Sequence, residues 1–187
     1  MSFSAEFFND ILTFTSKGKE TIMYYENVFL TLQRYRVRYL IAGGMAVNLY
    51  GIPRFTKDLD IMISPSKANL ERLAKALQKL GYRPKVPVSL KEFLNPANWP
   101  KWKKEKGMIA FPLHNSRNPF EEIDLLINVS LKFEDANRRK ATVRQGNMRV
   151  HLVSINDLIR MKKTAGRDQD KADIESLKKV KRLEKLK

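Results

Sequence analysis

The sequence predicts an α+β fold in a single compact domain, on three observations. Two segments alternate apolar and polar residues with the period of a strand, at 58–63 and at 121–129. A segment at 67–80 instead repeats its apolar residues every three or four positions and stops at Gly81, as an amphipathic helix does. Strand-like and helix-like segments are interspersed over 187 residues, a length that suits one domain with a substantial core.

The remaining elements follow from the same periodicities and from turn residues. In chain order, the helices are expected at 4–14, 19–35, 45–50, 67–80, from 155 and from 168. The strands are expected at 38–42, 59–63, 82–88, 108–111, 121–129, 141–144 and 148–153, with an irregular segment rich in proline and tryptophan between the third and the fourth. The expected organisation is N-terminal helices over 1–36, a core over 37–153 and a C-terminal helical appendage over 154–187.

Two aspartates, Asp58 and Asp60, begin the strand expected at 59–63. Side chains alternate across a strand, so both carboxylates project from one face while Leu59 and Ile61 fill the other. Carboxylate oxygens suit Mg²⁺, which is usually completed by water and substrate phosphates rather than by a full protein cage. The pattern therefore predicts a metal-dependent nucleotidyl-transfer site; a strand end whose acids only face water is the alternative.

Upstream, Gly43 and Gly44 separate the strand expected at 38–42 from the helix expected at 45–50. Strand, glycine turn and helix form a phosphate-binding arrangement, because glycine lets the backbone approach a ligand and the start of a helix favours an anion. The other interpretation is a tight turn without a ligand. The segment matches neither the P-loop pattern nor G-x-G-x-x-G.

The strand expected at 121–129 carries a further acidic face. Glu122 and Asp124 lie on its polar side, opposite the apolar residues. If this strand lies beside the one with Asp58 and Asp60, three acids can hold two cations about 3.5–4 Å apart. Because Glu122 and Asp124 share a face, spacing leaves open which of them is the ligand.

The closing helices carry charged residues of their own. Ser154 is expected to cap the first helix, which places Lys162 at the end of an apolar stripe. Asp170 and Asp173 lie three apart on the second helix, and Arg167 at its start can pair with either acid. A structural ion pair therefore competes with phosphate binding for Arg167, and Lys162 is the candidate for nucleotide binding.

Together these motifs resemble the nucleotidyltransferase superfamily related to DNA polymerase beta. More closely, the chain resembles the AbiEii-like nucleotidyltransferases of bacteria and archaea. The segments that carry this resemblance are 41–47, 51–60, 123–126, 157–162 and 165–173, which span most of the chain between Tyr39 and Leu177.

The resemblance implies the nucleotidyltransferase fold, a mixed and twisted β-sheet flanked by helices. It also implies that Asp124, rather than Glu122, joins Asp58 and Asp60 as the third metal ligand and catalytic carboxylate.

By the same resemblance, Gly43 and Gly44 cradle the triphosphate, while Lys162 and Arg167 face the active-site cleft. The chain departs from the superfamily's commoner Gly-Ser turn by having Gly-Gly. No serine hydroxyl is available there for the gamma phosphate, so backbone amides have to suffice.

Composition indicates the partners. The 36 basic and 20 acidic residues leave a formal net charge of +16, which attracts a polyanion over long range, and RNA is the expected one. The stretch Trp99 to Lys106 interleaves two tryptophans with lysines, which suits stacking on unpaired bases. The same stretch is also compatible with a surface hairpin whose tryptophans anchor it to the core.

Zero cysteines exclude disulfides and thiolate metal sites and are compatible with a cytoplasmic protein. Glu6, Asn9 and Asp10 interrupt the apolar N-terminus, so neither a signal peptide nor a membrane span is expected.

The function predicted is transfer of an NMP from an NTP to an acceptor hydroxyl, with Mg²⁺ or alternatively Mn²⁺ as the cofactor. The basic composition favours RNA as the acceptor, plausibly a tRNA 3′ end, and the resemblance adds the toxin of a toxin–antitoxin pair with an antitoxin as partner. Two alternatives stay open. One is transfer to a small molecule such as an antibiotic, which requires an acidic acceptor pocket; the other is a non-catalytic nucleic-acid-binding protein on the same fold.

Overall fold

A computed structural model describes residues 24–127 and 129–184 of the chain. In that part of the chain, seven strands form one sheet, and helices connect and cover them. The elements in chain order are α1 (Glu26–Arg34), β1 (Tyr39–Ile41), α2 (Gly43–Leu49), β2 (Asp58–Ile63), α3 (Lys67–Leu80), β3 (Tyr82–Pro84), α4 (Leu90–Phe93), α5 (Asn98–Lys106), β4 (Ala110–Asn115), β5 (Glu122–Leu126), α6 (Phe133–Arg138), β6 (Ala141–Gln145), β7 (Met148–Leu152), α7 (Ile155–Ala165) and α8 (Asp168–Glu184).

The strands are ordered β3-β4-β5-β2-β1-β7-β6 across the sheet. The central pair β2 and β5 is parallel, as is the pair β1 and β7, whereas the other neighbouring strands are antiparallel. The predicted α+β class with a mixed sheet is therefore confirmed. Because β5 lies next to β2, the two acidic segments of the sequence become neighbours in space.

Helix α3 shows how directly the apolar pattern determines the structure. Leu70, Leu73 and Leu77 are at most 1% exposed, so the stripe read from the sequence is the buried face of the helix. The helix ends where it was expected to end, because Gly81 adopts a left-handed conformation (φ 87°) and its N–H closes the last turn. None of the helices within residues 24–127 and 129–184 is both long and apolar enough to cross a membrane.

The segment expected to be irregular instead contains two helices, and that expectation was wrong. Ser89 and Glu92 form a capping box that starts α4. The stretch with the two tryptophans is α5, not a hairpin. Trp99 and Trp102 are 9% and 6% exposed and stack against the buried aromatic rings of the core, so neither offers a free face to a nucleobase.

The other differences concern the ends of elements. The third, fourth and fifth strands span 82–84, 110–115 and 122–126 rather than 82–88, 108–111 and 121–129. The helix expected at 4–14 and the first part of the one expected at 19–35 lie outside the described residues, and α1 covers 26–34. Helices α7 and α8 form as expected, and Ser154 caps α7 by accepting a hydrogen bond from the N–H of Asp157 at 3.2 Å.

Candidate active site

The parallel register of β2 and β5 brings the predicted acids together. Asp60 lies directly beside Asp124, and Asp58 lies beside Glu122. Residues in register on neighbouring strands share a face of the sheet, so all four carboxylates project to the same side. The opposite side of both strands is core, since the residues between the acids are at most 1% exposed.

The face of the sheet that carries the acids extends across β4 to the edge strand β3, where its residues are no longer acidic. His114 of β4 lies in register with Glu122, and Pro112 lies in register with Asp124. Arg83 of the edge strand β3 follows beside His114. The face therefore runs from acidic at β2 and β5 to basic at the edge. Its residues on β4 are half-buried rather than buried, which leaves this half accessible.

The glycine turn packs directly on the acidic face. The N–H of Ala42 donates to the carbonyl of Asp60 at 2.9 Å, and α2 begins at the next residue. Gly43 has a φ of +59°, and a Cβ there would lie 1.7 Å from Asp60 Oδ2. A Cβ at Gly44 would lie 2.3 Å from Arg54 Nη1 and 2.7 Å from Thr56 Oγ1. Glycine is therefore required at Gly43 by the close approach of the backbone to a carboxylate, and it is favoured at Gly44 by the close packing of Arg54 and Thr56.

Burial and neighbouring carboxylates raise the pKa values of the three aspartates. The pKa of Asp60 is raised to about 6, first by burial and then by the charges of Asp124 and Asp58, while the charges of Arg167 and Lys162 oppose the shift. Burial and the charges of Asp58 and Glu122 raise the pKa of Asp124 as well. The pKa of Asp58 is raised by burial and then by Glu122. Without a cation, this cluster of carboxylates is electrostatically costly.

Glu122 differs from its three neighbours. Its carboxylate accepts hydrogen bonds from Lys85 Nζ at 2.9 Å and from Lys57 Nζ at 3.1 Å. The hydrogen bond from Lys85 is the main reason why the pKa of Glu122 is lowered. The negative charge of Glu122 is thus already compensated by the protein, whereas that of Asp124 is not compensated in this way.

The chemistry of the acidic cluster fits a hard divalent cation. All the donors are carboxylate oxygens, and Asp58 Oδ1 is buried without a hydrogen-bond partner. Among the described residues, no group of three or more His, Cys, Asp or Glu side chains is arranged so that it could hold a metal ion. By donor type, the carboxylates suit an ion such as Mg²⁺, which takes few protein ligands and completes its shell with water and phosphate oxygens.

Lys162 lies in a buried charge network between α7 and α8. Its Nζ donates to Asp170 at 3.0 Å and to Asp173 at 2.5 Å, and all three side chains are at most 8% exposed. Arg54 Nε lies 3.4 Å from Asp173 Oδ2, which makes an ion pair without hydrogen-bond geometry. The backbone N–H of Arg167 donates to Asp170 at 3.2 Å.

The ion pairs in this network differ from the expected ones. Lys162, rather than the side chain of Arg167, pairs with Asp170 and Asp173. Nucleotide binding by Lys162 stays a prediction. The exposed Arg167 side chain acts through its charge on both Asp60 and Asp124. Lys162 touches the acids of α8, and its charge also reaches Asp60.

Two residues that contribute to the site carry no clear signal in the sequence. Arg54 precedes β2 in a loop, yet its side chain is only 20% exposed and lies over Gly44. Tyr25 donates from its hydroxyl to the carbonyls of Lys57 (3.1 Å) and Glu122 (3.2 Å) and so joins the starts of β2 and β5. No local pattern could have found Tyr25, because both of its partners are distant in sequence.

Comparison with known proteins supports the chemistry read from the site. The profile of the family described as "Nucleotidyl transferase AbiEii toxin, Type IV TA system" matches residues 30–172, which confirms the resemblance drawn from the motifs. No curated protein sequence gives a significant match.

Two solved structures share the fold. The lincomycin-bound lincosamide antibiotic adenylyltransferase LnuA is 15% identical, with a TM-score of 0.54, covering 86% of this chain and 96% of that one. An antigenic nucleotidyltransferase-like protein from Paracoccidioides brasiliensis is 19% identical, with a TM-score of 0.51, covering 85% of this chain and 75% of that one. At these identities the likeness extends to the fold alone.

Proposed function

The chain belongs to the family of nucleotidyl transferase AbiEii toxins of type IV toxin–antitoxin systems, and on this premise we propose which metal, acceptor and role it has. The family makes the chain a nucleotidyltransferase. Our proposal is a Mg²⁺-dependent enzyme, able to use Mn²⁺ instead, that transfers an NMP from an NTP to a hydroxyl of RNA. The observation that carries the proposal is the in-register pair Asp60 and Asp124, with the backbone of Gly43 against Asp60.

Asp58, Asp60 and Asp124 hold the metal in this proposal. Their raised pKa values and the unpartnered oxygen of Asp58 support it, since a cation would relieve both costs. A divalent cation bound there would neutralise charge on the phosphates during the transfer. Glu122 is left out of the ligand set because Lys57 and Lys85 already hold it.

The protein residues act mainly by positioning and by electrostatics. Gly43 and Gly44 cradle the triphosphate through the backbone, and Lys162 sets the position of α8 beside the acids. The acceptor oxygen forms a bond to the α-phosphorus, the bond from the α-phosphorus to the leaving pyrophosphate breaks, and Asp124 accepts the proton of the acceptor hydroxyl.

The basic composition supports RNA as the acceptor. A formal charge of +16 on 187 residues concentrates polyanions near the protein and steers their approach. We propose a tRNA 3′ end as the target, because an NMP added to it would block aminoacylation. That reaction would make the protein the toxin of a pair, and we propose that a partner antitoxin counteracts it.

A small hydroxylated molecule is the second candidate acceptor, favoured by the fold shared with LnuA, whose structure is described as lincomycin-bound. A cationic drug requires an acidic pocket. A pocket of about 520 Å³ does lie at the far ends of β2 and β5, lined by Met62 and Leu126 among others. Its two acids, Glu134 and Asp135, are however paired with Arg38 and Arg138, so the pocket is not acidic in net terms.

The proposed function is tested by incubating the purified protein with Mg²⁺, each α-labelled NTP in turn, and either total RNA or lincomycin. Asp60→Asn is the control, because it keeps the size of the side chain and removes the charge. We expect label on RNA with the intact protein only, and none on lincomycin. Label on lincomycin alone would favour the second candidate, and RNA binding without any transfer would favour a non-catalytic protein.

A further inference from the structure

Two phenylalanines lie exposed beside the acidic cluster. Phe55 is 85% exposed and precedes β2 by three positions, and Phe120 is 76% exposed and precedes β5 by two. The two strands are parallel and in register from Asp58 and Glu122 onward. Both rings are therefore carried by the segments that enter the same end of the sheet, the end at which the aspartates lie.

The backbone at both rings is held firmly. The carbonyl of Asn118 accepts from the N–H of Glu121 at 3.0 Å, and its side chain accepts from the N–H of Phe120 at 3.2 Å. On the other segment, the N–H of Arg54 donates to Asn48 at 2.7 Å, and the Thr56 hydroxyl donates to the carbonyl of Asp58 at 3.4 Å. Each exposed ring thus projects from an anchored turn, so little conformational entropy is lost when a ligand covers it.

Basic side chains lie among the acids near the rings. Lys57 and Lys85 both pair with Glu122, and Arg83 lies exposed on the edge strand in register with His114. Aromatic faces with cationic side chains nearby bind unpaired nucleic acid, because bases stack on the rings while the cations meet the phosphates. A protein partner that needed an apolar surface would be poorly matched by these charged side chains.

We propose that Phe55 and Phe120 form a stacking platform for unpaired bases of the acceptor RNA, with Arg83 beside it as a phosphate contact. The proposal rests on the proposed function only for the identity of the acceptor. It assigns Phe120 to the acceptor rather than to the NTP because Phe120 lies on the β5 side of the aspartates, whereas Gly43 and Gly44 lie on the β1 side. Phe55 lies between Arg54 and Thr56, the residues nearest Gly44, and so extends the platform towards the triphosphate.

The test is equilibrium binding of a fluorescein-labelled single-stranded RNA oligonucleotide to the full chain, without NTP or Mg²⁺. We expect Phe55→Ala and Phe120→Ala each to weaken binding at least about fivefold, which corresponds to the loss of about 1 kcal/mol of stacking. Phe120→Trp should keep the affinity, and Phe120→Leu, which is apolar without a ring face, should behave like the alanine variant.

Ile109→Ala is the matched control, because Ile109 is also an exposed apolar residue, at 52%, but lies just before β4 at the opposite end of β5. Binding of each NTP, measured separately by calorimetry, should be unchanged in all variants. Circular dichroism checks the fold, which exposed side chains should not affect.

The platform proposal fails if both alanine variants bind RNA as tightly as the intact chain, or if the intact chain does not bind RNA. It also fails if the variants weaken NTP binding but not RNA binding. Full affinity in Phe120→Leu would overturn it as well, because the surface would then bind through apolar contact rather than stacking. The label-transfer assay distinguishes the two proposals. Transfer that is unchanged in the phenylalanine variants would support the proposed function without the platform. RNA binding that depends on the rings, without any transfer, would support the platform without the proposed function.

Discussion

At the scale of single residues, Gly43 joins the turn to the acidic cluster. Its φ of +59° is strained for any side chain, and a Cβ would meet Asp60 Oδ2 at 1.7 Å. Replacing Gly43 should therefore destabilise the protein for two reasons: the backbone conformation is strained for a side chain, and the new Cβ crowds the Asp60 carboxylate.

We expect Gly43→Ala to lower label transfer by tenfold or more, because the alanine methyl must displace the Asp60 carboxylate, and to cost about 2–4 kcal/mol of unfolding free energy. The matched control is Gly107→Ala, whose φ is +61° but whose Cβ would meet nothing within 4 Å. That variant should lose only about 1–2 kcal/mol and keep full activity. Denaturant unfolding and the transfer assay measure both effects, and equal activity in the two variants would refute the crowding argument.

Asp60 itself gives a pH dependence with a defined sign. Its pKa rises from the ordinary value of 3.8 to about 6 on folding, so between these values the folded state binds more protons than the unfolded state. The free energy of unfolding of the metal-free protein should therefore fall as the pH rises from about 4 to about 6.

Asp60→Asn should weaken this dependence, leaving the part that Asp58 and Asp124 contribute through their own raised pKa values. It should also stabilise the metal-free protein at pH 7 by up to about 3 kcal/mol, while abolishing transfer. Urea denaturation at pH 4.5 and pH 7 is the measurement. The control is Asp168→Asn, because the Asp168 side chain is fully exposed at 100% and should change neither quantity. A loss of stability in Asp60→Asn at pH 7 would contradict the assignment.

At the scale of elements, the charge network of Lys162 couples α7 to α8. Removing its ammonium group leaves Asp170 buried without a cation and Asp173 with only the more distant Arg54, and breaking a buried pair typically costs about 3–5 kcal/mol. The control is Lys171→Met, because the Lys171–Asp168 pair on α8 is exposed and should contribute less than about 1 kcal/mol.

We therefore expect Lys162→Met to unfold at a much lower denaturant concentration than Lys171→Met. Label transfer should fall too, because α8 loses its fixed position. Full stability together with a raised KM for NTP would instead mean that Lys162 binds the nucleotide directly, as the sequence suggested.

Local sequence patterns predicted the helices and strands better than they predicted which strands pair in the sheet. The alternation around Asp60 and the apolar stripe of α3 are written in neighbouring residues, so both could be read directly. The pairing of β2 with β5 joins distant segments, and the sequence offered it only as a condition. The helix α5 was missed because its proline and tryptophans suggested irregular structure, although a proline in the first turn of a helix is tolerated.

Among the site residues, the side chains on strands were easier to anticipate than those on loops. Strand alternation placed Asp58 and Asp60 on one face and put Asp124 with Glu122 on the polar face of its own strand, while the choice of Asp124 came from the family resemblance. The register of β2 and β5 then brings these faces together. The ion pair of Arg54 with Asp173 depends on how α8 packs against a loop, which no periodicity encodes.

At the scale of the whole molecule, the sheet separates two basic regions. Phe111 alternates with Pro112 along β4, so α5, whose Trp102 stacks on Phe111, covers the side of the sheet opposite the acids. Arg83 belongs to the acidic side through its register with His114. The lysines of α5 and the arginine of β3 therefore add equally to the net charge but face different surroundings.

Because the two basic regions lie on opposite sides of the sheet, the salt dependence of RNA binding in suitable variants can show which region contacts the RNA. Binding of single-stranded RNA should weaken as salt increases, with a slope of about −0.7 per phosphate contact in a plot of log affinity against log salt concentration. We expect Arg83→Ala to reduce that slope by about 0.7, because it removes a contact, whereas the exposed Lys104 of α5 should be replaceable by alanine without effect. Equal reductions in both variants would mean that RNA is held by the overall charge, and a reduction in Lys104→Ala alone would move the RNA to the opposite side of the sheet, away from the aspartates.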